Sequence, residues 1–323
     1  MPDRQYVLSV PREGFNDVLC QMGFAWSYAE RHGRVFVTDT RHSSLQDAFS
    51  RYFSTQAKGV LLHPGEALLR HFDSLNVYPS CLRGRVSLAC QKSYLDTGSA
   101  KKTICAEGFI PRIDSDTGQP LAFDMSSPYQ EDLLVCDVHG VGLGLGLACL
   151  QRLKLLPEVA LRIALLLAAL GEDYDAVHIR NTDIGTDYLS FFRQIFPLVQ
   201  GRKLLICSDD LVCREVAKKF FVESQVLTVT DIPNTGGRAL HFFAQDIYAK
   251  NIAMLTDLFA LARAQRLFAT PITTTKGLNK MKKGQLSGFS ILALSLHAHQ
   301  NILDGLFADL PGENGWRSNT EKF

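Results

Sequence analysis

This 323-residue chain lacks the marks by which several functional classes announce themselves. Its eight cysteines contain no C-x-x-C pair and no His/Cys spacing of a zinc site, so neither a dithiol redox centre nor a zinc centre is expected. The opening "MPDRQYVLSVPREG" has no cationic stretch followed by an apolar core, which argues against a secretory signal. The greasiest segment, "LKLLPEVALRIALLLAALG", is interrupted by Pro157, Glu158 and Arg162. Its unbroken apolar run falls far short of the ~20 residues a membrane helix needs, so a buried helix is expected there. A formal net charge of +1 gives no electrostatic case for bulk attraction to nucleic acid or to a membrane surface. Internal repeats and low-complexity segments are absent as well. Several cysteines sit inside apolar runs such as "LLVCDV" and "KLLICSDD" and read as reduced core residues of a cytosolic protein.

What is present is the composition of an ordinary globular protein, 46% hydrophobic and 21% charged. Its length exceeds what one hydrophobic core usually serves, so two domains of about 150 residues are expected. "YVLSV" (6–10) reads as a strand, and Val18, Met22, Ala25 and Ala29 mark one face of a helix from Asp17 to about His32. Asn16 or Asp17 can cap its start and Gly33 can end it. "RVFVTDT" follows as the next strand, which places Gly14 beside a helix N-terminus whose free amides can bind an anion or a sugar oxygen. Between 43 and 130 the pattern is irregular, with candidate strands at "GVLLHP" and "RVSLAC". "DLLVCDV" is a strand and "LPEVALRIALLLAAL" a helix.

After Gly171 the alternation is regular: strand 174–180, helix 187–198, strand 203–208, helix 210–221, strand 225–230, a long helix 245–264, the strand "RLFAT", a basic loop and a last helix 287–300. Such alternation implies a mostly parallel, doubly wound α/β sheet, whose ligands bind beyond the carboxyl ends of strands. Arg180, Asp209 and Thr270 lie at or just past such ends.

Several motifs compete for function. The run "HGVGLGLGLACL" (Gly140, Gly142, Gly144, Gly146) follows a strand, but its G-x-G-x-G-x-G spacing misses the third glycine of a dinucleotide fingerprint, and close packing explains it better. Asp114 and Asp116 form a D-x-D, read with Thr117, Gly118 and Pro120 as a solvated turn. His297 and His299 face different sides of a helix end, which does not suit a metal. "VHIRNTDIGTD" differs, because His178 and Arg180 point the same way from a strand end, and arginine offers a planar fork suited to a diphosphate. Ordinary salt bridges at an edge strand are the competing explanation. "CSDD" ends the adjacent strand, and Asp209 or Asp210 can cap the helix that follows.

"VHIRNTDIGTD" resembles the H-x-R-R-x-D segment of α-1,6-fucosyltransferases, and "LLICSDDLVCREVAKKFF" is similar to their strand-helix unit with T-D-D. "GFNDVLCQMGFAWSYAERHGRVFVTDTR" resembles the opening of the NodZ-like branch of that family, and "ALHFF" and "MLTDLFALARA" are similar to further segments in the same order. The resemblance covers residues 6–42 and 155–300. It implies a glycosyltransferase-B type fold with two Rossmann-like domains and a cleft between them: an acceptor-side domain (1–170), a nucleotide-sugar-binding domain (171–300) and a tail (301–323). It further implies an inverting, metal-independent transfer of fucose from GDP-fucose, as donor substrate rather than cofactor, to a glycan acceptor at O6 of N-acetylglucosamine. Arg180 matches the arginine on the donor diphosphate, and Asp187 aligns with a basic glutamate, with Asp183 as runner-up. His178 and Asp257 match positions near the guanine, and Thr273 and Ser287 compete for a hydroxyl near the phosphate. Gly14, Phe15, Asn16, Asn181, Asp209, Asp210 and His241 complete the expected donor contacts. Asn181 stands where the family has a second arginine, a following lysine is missing, and the loop "ITTTKGLNKMKKGQLSGFS" is enlarged, with Lys276, Lys280, Lys282 and Lys283 as possible compensation. Two alternatives stay open: a catalytically silent sugar- or nucleotide-binding relative, and an NAD(P)-dependent oxidoreductase resting on the glycine run.

Overall fold

The computed structural model describes residues 4–92, 98–99, 109–140, 144–233, 246–275 and 284–310. The chain divides into two compact units, Met1–Leu156 and Pro157–Phe323.

In the first unit, strands β1 (Tyr6–Ser9), β2 (Val35–Thr38), β4 (Val60–Leu61), β5 (Val77–Tyr78) and β8 (Leu133–Cys136) form one parallel sheet in the order β4-β2-β1-β8-β5. Short β3 (Phe53–Ser54) pairs with β10 (Lys154–Leu155), and β6 (Gly98–Ser99), β7 (Ile110–Ile113) and β9 (Val138–His139) form a separate antiparallel group. Helix α1 (Phe15–Arg31) starts two residues before the position its apolar spacing suggests. Gly14, extended at φ −65° and ψ 163°, is its N-cap, so Asn16 and Asp17 sit inside the first turn instead of capping it. Phe15 is anchored against Phe53, ring centroids 6.2 Å apart, which draws the helix start back. Helices α2 (Gly65–Phe72) and α3 (Val86–Gln91) lie beside the sheet, their Leu69, Phe72, Val86 and Cys90 packing on Leu8, Val37 and Val135. "RVSLAC" is therefore helix and not strand: the four-residue spacing of buried Val86 and Cys90, with Leu88 56% exposed, is a helical period that a short apolar run conceals.

The glycine run packs helices. Gly144, at φ +78°, starts α4 (Leu145–Leu150), and a Cβ on Gly146 would stand 2.7 Å from Asn16 Oδ1 and 3.4 Å from Cys20 Sγ of α1. Residues 141–143 lie outside the described ones. Gly146→Ala is expected to cost about 1–3 kcal/mol, the usual penalty of overpacking, read as a lower midpoint in urea; an unchanged midpoint would mean that α1 and α4 have room to part.

The second unit carries a four-stranded parallel sheet, β14-β13-β11-β15, built from β11 (Asp175–Ile179), β13 (Lys203–Ser208), β14 (Gln225–Leu227) and β15 (Leu267–Ala269). Val177, Ile179, Leu204 and Ile206 face α6 (Tyr188–Val199) and α7 (Leu211–Phe220), where they pack with Phe192, Ile195 and Phe221. Side chains alternate along a strand, so His178 and Cys207, which are register partners, leave the opposite face, towards α8 (Ile247–Arg263) and α9 (Gly288–Ala298). Helix α5 (Pro157–Ala168) packs on α8 and belongs to this unit, so the boundary precedes the expected one at 170. It is half-buried instead of buried: Val159, Ala160, Ile163 and Leu167 are covered, while Leu161 and Leu165 are exposed. Among the described residues no helix is long and apolar enough to cross a membrane. Part of the expected tail is α10 (Gln300–Leu306), which packs on α8 and α9 with Leu303 fully buried. Two further strands, β12 (Ile184–Thr186) and β16 (Ile272–Thr275), pair antiparallel where only loops are expected.

Candidate functional site

Chain order along the second sheet runs from β11 through β13 to β14 on one side, whereas β15 lies on the other. Strand order therefore reverses between β11 and β15, and the crevice beyond their carboxyl ends is where such sheets hold ligands. His178 and Arg180 end β11 at this point, and Thr270, at the end of β15, donates its amide to the His178 carbonyl at 3.1 Å.

Arg180 reaches two carboxylates, Asp209 through Nη1 at 2.6 Å and Asp183 through Nη2 at 2.5 Å, and its side chain stays 26% exposed. Asp209 also accepts from the Asn181 amide at 2.8 Å and from Thr182 Oγ1 at 2.5 Å, so it organises the strand end. Asn181, which stands where the family has a second arginine, donates Nδ2 to Asp210 at 2.8 Å and accepts the Thr186 amide at 3.1 Å. It ties β12 to the end of β13, a role that needs one donor and one acceptor on a single side chain and that arginine cannot fill. Asp210 caps α7 through the Val212 amide, as a serine or acid at that position commonly does.

Asp183 is 35% exposed, and an anion arriving at Arg180 must compete with it. Asp183→Asn is thus expected to tighten the binding of an anion such as pyrophosphate at Arg180 by about threefold to fivefold, in line with the modest worth of a partly exposed ion pair. Calorimetry decides it: weaker binding in this variant would make Asp183 a contributor to the site and not a competitor.

Asp187 is the N-cap of α6 and accepts the Ser190 amide at 3.1 Å. Hydrogen bonds from Ser190 hold its carboxyl below the usual range, which makes it a poor proton acceptor. His178 is buried, its Nδ1 lies 2.7 Å from Ser290 Oγ, and its ring is 5.0 Å from that of Phe289. Burial holds the imidazole neutral, lowering its pKa to about 4, with Asp209 opposing that shift and Arg180 adding to it. Ser287 caps α9 and meets Ser290 Oγ at 2.9 Å, while Thr273 donates to the Gly185 carbonyl at 3.1 Å. Both hydroxyls thus have internal partners. Asp257, on α8, accepts from Thr230 Oγ1 at 2.8 Å and pairs with buried Arg214 at 3.4 Å. Burial raises its pKa, and Arg214, Thr230 and Cys207 oppose that. Since Cys207 is the register partner of His178, Asp257 and His178 line neighbouring strands on one face.

The structure therefore gathers His178, Arg180, Asn181, Asp183, Asp209, Asp210 and Ser287 at one sheet edge, with Asp257 beside them and Asp187 at the next helix start. His241 and the four loop lysines lie outside the described residues. Gly14, Phe15 and Asn16 belong to the first unit. The other sequence candidates have local partners: Arg85 holds Asp114 and Asp116, each at 2.6 Å, and Asp114 is buried within its turn and not solvated. His297 and His299 contact the Ala262 and Ser295 carbonyls.

Sequence reasoning passed over Ser290, Arg214 and, in the first unit, Glu13. The first sheet reverses its strand order between β1 and β8, and Glu13 and Asp137 follow those two strands. Arg12 donates Nε to Asp137 at 2.7 Å, both almost fully buried, and Arg112 bridges Asp137 to Glu13. The Arg112–Asp137 approach, 3.3 Å, lacks hydrogen-bond alignment, so attraction there is purely coulombic. Gln21 Nε2 donates to Glu13 at 2.6 Å. Burial pushes the Glu13 carboxyl up to about 8, against the pull of Arg112 and Gln21 and with the help of Asp17 and Asp137. The signal for it was an acid set between a strand end and a helix start, in "PREGFN".

No family model matches the chain, and no curated protein does. Solved structures do. A fucosyltransferase NodZ from Bradyrhizobium is similar over 91% of this chain and 93% of its own, at 19% identity and a TM-score of 0.57. NodZ α-1,6-fucosyltransferase soaked with GDP-fucose matches at 19% identity and 0.56, and the same enzyme co-crystallised with GDP at 19% and 0.55, each over 91% of this chain and 92% of the other. The likeness runs through both units and shows a shared α/β fold of parallel sheets, NodZ-like in its course.

Proposed function

We propose that this chain is a glycosyltransferase of the two-Rossmann, glycosyltransferase-B type that moves fucose from GDP-fucose to a glycan hydroxyl, O6 of N-acetylglucosamine by resemblance. The observation that carries the reading is Arg180, a half-buried guanidinium held at the strand-order reversal of the second sheet and flanked by neutral His178. Departure of a nucleoside diphosphate from an acetal-like carbon builds negative charge on the phosphate, and a fixed arginine stabilises it without a metal. The NodZ structures soaked with GDP-fucose and co-crystallised with GDP support that choice of nucleotide.

In this reading the acceptor oxygen attacks the anomeric carbon as GDP leaves with the bonding electron pair, and a carboxylate takes the hydroxyl proton. Asp183, beside Arg180, and Asp187, at the start of α6, are the carboxylates of the same unit that could take it. The transfer inverts the anomeric centre and proceeds in the cytosol, where the described cysteines, all free thiols, stay reduced.

A thermal-shift series with GDP-fucose, GDP-mannose, UDP- and dTDP-sugars and NADP, each with EDTA, tests the reading. A nucleotide at 100 times its Kd adds about 2.7 kcal/mol of stability. GDP-fucose should raise the melting temperature most; a rise confined to NADP would restore the oxidoreductase alternative.

A further inference from the structure

Three buried groups on the α8 and α9 face of the second sheet form one hydrogen-bonded chain. Ser290 Oγ lies 2.7 Å from His178 Nδ1 and 2.9 Å from Ser287 Oγ, and Ser287 Oγ accepts the Ser290 amide at 3.1 Å. His178 and Ser287 are each 6% exposed and Ser290 is 1% exposed, so the chain is largely shielded from solvent.

Counting protons fixes the order of donors, since each serine hydroxyl has one proton and a neutral imidazole has one N–H. If Nδ1 carried the ring proton, Ser290 would accept it and pass its own proton to Ser287. The Ser287 oxygen would then take two donors, and its own proton would have no acceptor among the described residues. With Nδ1 bare, Ser287 donates to Ser290 and Ser290 donates to Nδ1, so both hydroxyl protons are bound. A buried hydroxyl left without a partner is disfavoured, which selects the second arrangement. The ring proton then resides on Nε2, which has no partner among the described residues.

We propose that Ser290 is a positioning residue that fixes His178 as a one-way donor, its Nε2–H aimed at a hydrogen-bond acceptor atom of the sugar nucleotide. The assignment rests on the reading that this strand end binds the nucleotide. Its chemical consequence is selectivity: a base presenting a carbonyl oxygen to His178 gains a hydrogen bond, while one presenting an amino group meets a second donor. Phe289, its ring 5.0 Å from the imidazole, restricts the ring to one side.

Two measurements test this on the full chain. Nitrogen-resolved NMR of the imidazole without nucleotide should show wild-type His178 as a single Nε2–H tautomer, and Ser290→Ala as a mixture. Calorimetry should show GDP bound about threefold to tenfold more weakly by Ser290→Ala, the worth of one neutral hydrogen bond, and restored to within about twofold by Ser290→Thr, which keeps the hydroxyl. ADP, which carries an amino group in place of the carbonyl, should lose far less between wild type and Ser290→Ala. An Nδ1–H tautomer in the wild type overturns the proposal even if no variant folds. GDP affinity equal in wild type and Ser290→Ala overturns it as well. Failure of the wild type to bind GDP with the expected tautomer present would overturn the nucleotide reading while leaving the proton order established.

Discussion

Replacing Arg180 by alanine will leave the protein folded and lower fucosyl transfer by at least about 10²-fold, the usual effect of deleting one preorganised donor from a developing anion. The fold should survive because the Arg180–Asp183 pair lies at the rim, with side chains 26% and 35% exposed, and such a pair is worth about 1 kcal/mol or less. Asp209 loses a cation but keeps the Asn181 amide and the Thr182 hydroxyl. Arg180→Lys should rescue little, because a point charge on a flexible stem cannot reproduce a planar fork. Transfer rate and melting temperature measured on one preparation separate the two effects. A near-normal rate in the alanine variant would put the diphosphate elsewhere.

Wild-type stability will fall as pH rises through about 8, with Glu13 as the group responsible. Burial raises its carboxyl to about 8 against the pull of Arg112. Because the folded-state pKa lies above the unfolded one, the folded protein binds the extra proton between about 4.5 and 8. The stability this confers is full below that window and is lost as pH rises through about 8. Glu13→Gln should flatten that decline. An equally steep decline in Glu13→Gln, read from urea midpoints across that pH range, would assign the titration to another group.

The second unit was the more legible half. Its strands at 203–208 and around 175–179 and its helices on either side stand where apolar periodicity places them, because each buries one face and caps its own start with an acid: Asp187, Asp210 and Asp246. Length and period carry that information locally. β12 and β16 were hidden, since a pair of three- and four-residue strands is specified by its partner and not by its own pattern. α3 was misread for the related reason that six residues hold too few turns for the helical period to stand out. At the site, Arg180 and Asp209 could be read from strand ends because the doubly wound rule names those positions in advance. Ser290 and Arg214 could not. Each lies on a helix some distance along the chain, and only the packed fold brings Ser290 to His178 and Arg214 to Asp257. Asn181 was read as a departure from the family pattern, and only its bonds to Asp210 and Thr186 show what an asparagine does there.

The central claim is that the chain transfers fucose from GDP-fucose with its own arginine in place of a metal. Incubating the protein with GDP-fucose and an N-acetylglucosamine-terminated oligosaccharide, with and without EDTA, tests it most directly, with GDP release followed by chromatography and the glycan by mass spectrometry and NMR. The account predicts a fucosylated product with an α linkage, one GDP released per fucose transferred, and equal rates in both conditions. An intact donor after prolonged incubation, with no product and no free GDP, would contradict it, and so would turnover that EDTA abolishes.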